Sequence, residues 1–105
     1  MNNILPEEAK KAIDGSNATV IDVRTPAEFA DGHIPGAKNI NIYDESFDEE
    51  IKDLPVDAMY VVNCQRGGRS VNACAKMQKF GLVGVLNLEG GFDAWKKAGL
   101  PVEGY

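Results

Sequence analysis

A chain of 105 residues, 44% hydrophobic and 26% charged, has the size and composition of one ordinary globular domain, residues 1–105, rather than of a disordered or fibrous chain. Its formal net charge of -5 argues against a nucleic-acid or anionic-membrane surface as the main partner, since both are bound through clustered Lys and Arg; a local site for a small anion stays open. No apolar run nears the ~20 residues of a membrane span, and MNNILPEEAKK lacks the regions of a signal peptide, so the cytoplasm is the expected location.

In chain order, PEEAKKAID at 6–14 predicts a helix, with Pro6 at its first position, Glu7 and Glu8 in its first turn and Gly15 as its stop. ATVIDV at 18–23 reads as a strand covered on both faces, and TPAEFADG as a short helix opened by Thr25-Pro26 and closed at Gly32. A turn at Pro35-Gly36 leads into a brief strand near 38–41. In DESFDEEIKDL, Phe47, Ile51 and Leu54 recur at the spacing of one helical face, which leaves six acidic residues as its wet side or as a docking surface for a basic partner.

MYVVN at 59–63 predicts a strand that runs into Cys64. SVNACAKMQKFG behind it has helical spacing, with Val71, Cys74, Ala75 and Met77 assigned to the apolar face. VLNL at 85–88 is a further strand, and FDAWKKAG after Gly90-Gly91 a last helix with Phe92 and Trp95 inward and Gly99 as its stop. Strands alternating with helices at this spacing imply an α/β fold around a mostly parallel sheet with helices on both faces.

In such a sheet ligands bind at the carboxyl ends of the strands, where Cys64 stands. The loop NCQRGGRS then offers two adjacent glycines, Gly67 and Gly68, able to take positive φ and turn N–H groups inward, and a helix start at Ser70 whose unpaired N–H groups favour an anion. With Arg66 and Arg69 alongside, the Cys64 thiol is expected to be depressed and to be a thiolate at neutral pH. Cys74 reads instead as a buried hydrophobe, and two cysteines in a cytoplasmic chain are expected to stay free. His33 is remote in sequence, so no Cys-His couple is evident, and a thiolate without a base suits attack on a sulfane sulfur, whose leaving sulfite needs no acid. The Cys-x4-Arg spacing from Cys64 to Arg69 is one residue shorter than the Cys-x5-Arg loop that wraps a phosphoryl group.

Elsewhere, no GxGxxG or GxxxxGK[ST] supports nucleotide binding, a single histidine and two cysteines do not make a zinc site, and no metal or cofactor is expected. Asp22, Arg24 and Glu28 read as an ion network at a strand end, with an acid/base pair as the sharper alternative. His33 is expected to fix its turn by a hydrogen bond, and Gly90-Gly91 to make a tight turn that borders the Cys64 loop.

Taken together, IDVRTPAEFADGHIPGAKNI, VVNCQRGGRS and LEGGFDAWKKAGLPV resemble the rhodanese domain family, in particular its single-domain thiosulfate sulfurtransferases. The resemblance implies a three-layer α/β/α fold with a five-stranded parallel sheet and a ping-pong reaction through a persulfide on Cys64. It implies that Gln65, Arg66, Gly67, Gly68 and Arg69, with Ser70 behind them, form the substrate-binding loop, Arg69 as its closing basic residue and Arg66 drawing the anionic donor. The partners it implies are a small anionic sulfur donor and a thiol, protein persulfide or cyanide acceptor. The alternatives are a non-catalytic or sulfur-carrier binding module and a related phosphatase or arsenate reductase.

Overall fold

The computed structural model of the chain describes residues 2–104. Five parallel strands form one sheet: β1 (Asn2–Ile4), β2 (Thr19–Asp22), β3 (Lys38–Asn39), β4 (Met59–Asn63) and β5 (Gly84–Leu88), in the spatial order β1-β5-β4-β2-β3. Between them run α1 (Pro6–Ser16), α2 (Pro26–Ala30), α3 (Phe47–Lys52), α4 (Gly68–Lys79) and α5 (Gly91–Lys97). None of these helices is long and apolar enough to cross a membrane.

The alternation of side chains along a strand sorts the sheet residues into two cores. Ile21, Tyr60, Val62, Cys64 and Val85 face one side and pack with Phe47 and Ile51 of α3 and with Ala73, Cys74 and Met77 of α4. Val20, Val61 and Leu88 face the other side, with Ala9 of α1 and Phe92 and Trp95 of α5. The result is the expected three-layer α/β/α arrangement. Full burial of each large apolar side chain contributes about 1.5–3 kcal/mol, so each layer is anchored by a few residues. Trp95 is one of these, and its ring Nε1–H donates to Pro101 O at 2.7 Å, so the buried indole leaves no donor unpaired.

Several boundaries differ from the sequence reading for identifiable reasons. Strand β1, with Asn2 and Asn3, carries no apolar alternation; its place at the sheet edge comes from backbone pairing with Leu86–Leu88. Helix α1 runs past Gly15 to Ser16 and ends at Asn17, which takes the left-handed conformation (φ 54°) and donates its N–H to Ala12 O. Asparagine tolerates that conformation better than most side chains, so it serves as the stop. Helix α3 starts only at Phe47, because the Asp44 carboxylate accepts from the N–H and hydroxyl of Ser46 and holds the preceding residues as a turn. Its inward face is as expected: Phe47 and Ile51 are buried. On α4, Val71 and Ala75 lie exposed, and the apolar face is Ser70, Ala73, Cys74 and Met77. The helix begins two residues earlier than expected, and its buried residues fall at i, i+3, i+4 and i+7 counted from Ser70.

The candidate active site

Cys64 follows the last residue of β4, the strand between β5 and β2, and is 1% exposed. Gly67 takes φ 110°, a backbone angle open in practice only to glycine, and reverses the chain into α4. Gly68 differs from its expected role: it is the first residue of α4 with no positive φ, and an added Cβ there would meet nothing within 4 Å. The turn therefore depends on one glycine of the pair.

The reversal brings the N-terminus of α4 onto the sulfur. The Gly67 N–H donates to Cys64 Sγ at 3.0 Å, and Ser70 Oγ lies 3.4 Å from the same sulfur. In the thiol form the S–H donates to Ser70 Oγ while the Ser70 hydroxyl donates to Gly67 O at 3.2 Å; when the proton leaves, that hydroxyl can turn to donate to the thiolate. Burial pushes the Cys64 thiol up, but the Ser70 hydroxyl and the N–H groups of Ser70, Gly67 and Arg66 together outweigh it and hold the thiol below its ordinary range. The thiolate is stabilised by these donors more than by arginine charge. Cys74, in contrast, is pushed up to about 12 by burial and stays an inert thiol.

The rate of iodoacetamide alkylation against pH checks this directly. A thiolate reacts and a thiol does not, so the half-maximal rate should fall below the roughly 8.5 of a free cysteine. Ser70→Ala, which removes one donor, should move that midpoint upward. By linkage, the stability that Cys64 contributes is present above the unfolded thiol's pKa and lost as pH falls through its own lower one.

The arginines of the loop turn outward. Arg69 makes two bonds to the Glu28 carboxylate, at 2.7 and 2.9 Å, tying α4 to α2 across the mouth of the loop. The Arg69 guanidinium holds the Glu28 carboxyl down at about 2, against a smaller upward push from burial, and Glu28 in turn raises Arg69. Arg66 has an 87% exposed side chain, with Nε 3.5 Å from Asp93 Oδ2, and is the cation presented to solvent.

Asp22, Arg24 and Glu28 do not form one network. Arg24 is 2% exposed and grips the fully buried Asp22 carboxylate through Nε and Nη2, at 3.0 and 2.8 Å. Its Nη1 donates to Gln65 Oε1 at 2.8 Å, its Nη2 also reaches Gly32 O at 2.7 Å, and its guanidinium lies 4.5 Å from the Phe92 ring centroid. The Gln65 side chain also donates to Asp93 of α5. Gln65 is thereby fixed from both sides, with its side chain engaged away from the sulfur. Glu28 instead caps α2 with Thr25 and clamps Arg69.

Gly90-Gly91 borders the loop as expected. At Gly91, with φ 63°, a Cβ would fall 2.6 Å from Cys64 O and 2.7 Å from Gln65 C, so only glycine lets α5 approach this closely. The approach lets Phe92 N–H donate to Cys64 O at 2.8 Å and Asp93 N–H to Gln65 O at 3.0 Å. Two helix N-termini meet at the loop, α4 on the sulfur and α5 on the backbone beneath it. His33 takes a structural position: its Nδ1–H donates to Phe29 O at 2.8 Å, its ring stacks on Phe29, and its backbone pairs with Glu103. Asp93 and Phe92 were not foreseen as supports of the loop. The one signal for them was the Gly-Gly pair that brings α5 close.

The fold agrees with comparisons to known proteins. The rhodanese-like domain model matches residues 5–98. The chain is 36% identical over 94 residues to a sulfurtransferase of Allochromatium vinosum, covering 90% of this chain and 86% of the relative. It is 37% identical over 93 residues to thiosulfate sulfurtransferase GlpE of Pseudomonas aeruginosa, covering 89% and 82% respectively. The crystal structure of a rhodanese-related protein from Thermoplasma volcanium superposes with a TM-score of 0.88 at 32% identity, over all of both chains. The chain belongs to the rhodanese-like domain family. It is an enzyme of the sulfurtransferase class.

Proposed function

We propose that Cys64 carries the transferred sulfur, accepting it from thiosulfate or a polysulfide or persulfide donor and passing it to a thiol or cyanide. The observation that carries this reading is the buried Sγ at the start of α4, with the Gly67 N–H at 3.0 Å and Ser70 Oγ at 3.4 Å. A sulfur held as thiolate needs no base, and among the described residues the one histidine is engaged with Phe29 and Glu103.

In the first half-reaction the Cys64 thiolate attacks the outer sulfur of thiosulfate. A new S–S bond forms, the donor's S–S bond breaks, and its electron pair leaves with sulfite, so no proton need move. In the second, the acceptor's thiolate or cyanide attacks the outer sulfur of the persulfide, and the electron pair of the broken bond returns to Cys64. The N–H groups of Arg66, Gly67 and Ser70 hold the inner sulfur. Gln65, Gly68 and Arg69 complete the frame around the outer one, with Gln65 and Arg69 fixed by Arg24 and Glu28. Arg66, exposed at the rim, attracts the anionic donor. Two free thiols, one of them working as a thiolate, suit the cytoplasm.

Steady-state kinetics with thiosulfate and cyanide test the reading. Parallel double-reciprocal plots, the signature of two half-reactions, are expected, with no appreciable hydrolysis of an aryl phosphate. Phosphate hydrolysis without sulfur transfer would replace this reading with the phosphatase one. Absence of both would favour a binding module.

A further inference from the structure

We infer that Glu28 sets the charge of the sulfur donor: by masking Arg69 it turns the site away from dianionic thiosulfate and toward sulfane donors of single charge, the organic thiosulfonates and persulfides. The inference rests on the sulfurtransferase reading of Cys64 and narrows its donor class. Three arginines belong to the Cys64 loop or touch it, and each faces a carboxylate of its own. Arg24 lies 2.8 Å from Asp22, Arg66 3.5 Å from Asp93 and Arg69 2.7 Å from Glu28. The loop therefore offers oriented N–H groups, while the charge of these arginines is matched throughout.

The three pairs are not equivalent. Arg24 is buried with Asp22 and holds Gln65, whose side chain is engaged away from the sulfur. Arg66 is 87% exposed, so solvent screens its loose pair with Asp93 and leaves the guanidinium most of its reach. Of the three, Arg69 is the one that is both tightly matched and set against the sulfur. It stands in the first turn of α4, in the chain between Gly67, whose N–H reaches Cys64 Sγ at 3.0 Å, and Ser70, whose Oγ lies 3.4 Å from it. Glu28 foremost, and the Cys64 thiolate with it, raise Arg69, so guanidinium and sulfur share one field. Both Nη atoms of Arg69 are engaged by Glu28, at 2.7 and 2.9 Å, and Glu28 is held in turn by the N–H and hydroxyl of Thr25. A donor's charge gains from Arg69 and loses to Glu28 at nearly the same range, so the second charge of thiosulfate gains little there. Taking that second charge out of water still costs, and the difference favours the singly charged donor. The step is unchanged in kind: the Cys64 thiolate attacks the outer sulfur of a thiosulfonate, a new S–S bond forms, the donor's S–S bond breaks, and its electron pair leaves with sulfinate. No proton need move.

Two ratios test this, each taken in the parent protein, in Glu28→Gln and in the double variant Glu28→Gln with Arg69→Gln. Glutamine can keep the bonds of Glu28 to Thr25, so the start of α2 is preserved. The first ratio is kcat/KM for thiosulfate over that for methanethiosulfonate. The second needs no sulfur transfer: it is the rate of Cys64 alkylation by iodoacetate, an anion, over that by neutral iodoacetamide. A change in thiolate fraction or in the order of the loop acts on both reagents of a pair and cancels. Glu28→Gln should raise each ratio about three- to five-fold, the size of one exposed ion pair. The double variant should bring both back near the parent values, because the unmasked guanidinium is gone. Ratios that stay or fall in Glu28→Gln, or stay high in the double variant, would overturn the inference. A protein whose alkylation ratio responds in this way, but which takes up sulfur from neither donor, loses the sulfurtransferase reading and keeps the masking of Arg69. One that takes up sulfur from both donors with both ratios unmoved loses the masking and keeps the reading.

Discussion

Cys64→Ser is expected to abolish sulfur transfer to the background rate while leaving the fold in place. A serine hydroxyl at this position is not ionised at neutral pH and cannot form a persulfide, so the first half-reaction lacks its nucleophile and the second lacks the persulfide that the acceptor attacks. The structural cost is small, because serine fills nearly the same volume and its oxygen can accept the Gly67 N–H that now reaches Sγ at 3.0 Å. Exchanging one weakly bonded buried group for another costs on the order of 1 kcal/mol, or a fall in Tm of roughly 4–8 °C in a domain of this size. Thiosulfate:cyanide turnover and thermal unfolding followed by circular dichroism separate the two effects. Retained turnover at more than a few per cent of the parent would mean that another group accepts the sulfur, and Cys74, held as a neutral buried thiol, is poorly suited to do so.

The largest expected loss of stability comes from Arg24→Ala. Asp22 is fully buried, and its carboxylate depends on the Arg24 guanidinium for its ion pair. Removing the arginine strands that charge, unties Gln65 Oε1 and leaves Gly32 O without its 2.7 Å donor. Breaking one side of such a buried pair costs about 3–5 kcal/mol, so Tm should fall by about 15 °C or more. The double change Asp22→Ala with Arg24→Met, which removes both charges and keeps apolar volume, should lose less than the sum of the two single changes. Because Gln65 is held by Arg24 and Asp93, the single variant should also impair sulfur transfer in the fraction that remains folded, through the loop rather than through contact with substrate. Denaturant unfolding of the two single variants and the double one, alongside their turnover, checks both parts; strict additivity of the losses would contradict the pairing.

The parts of the fold legible in the sequence are those with local periodicity or local punctuation. Phe47 and Ile51 mark the inner face of α3, Pro6 and Pro26 the starts of α1 and α2, and the apolar run before Cys64 marks β4. What was not legible depends on partners distant in the chain. Asn2–Ile4 becomes a strand only by pairing with Leu86–Leu88, and the five-strand count followed from family resemblance alone. The start of α4 at Gly68 follows from the reversal at Gly67, a geometry that a Gly-Gly pair permits without saying which glycine uses it. At the site, the loop from Cys64 to Ser70 could be read directly, whereas its supports could not. Asp93 reaches Gln65 across 28 residues, and Arg69 reaches Glu28 across 41. The charges around Asp22 were visible as a cluster, but their division into an Asp22–Arg24 anchor and a Glu28–Arg69 clamp depends on the direction of each side chain.

The most direct test of the account is to locate the sulfur. The protein is treated with thiosulfate, freed of small molecules and digested without reductant, and its peptides are weighed. The account predicts one added sulfur on the peptide carrying Cys64, none on Cys74 once the two are separated by fragmentation, and loss of that sulfur after cyanide. A protein that gains no sulfur, or gains it at Cys74 alone, would contradict it.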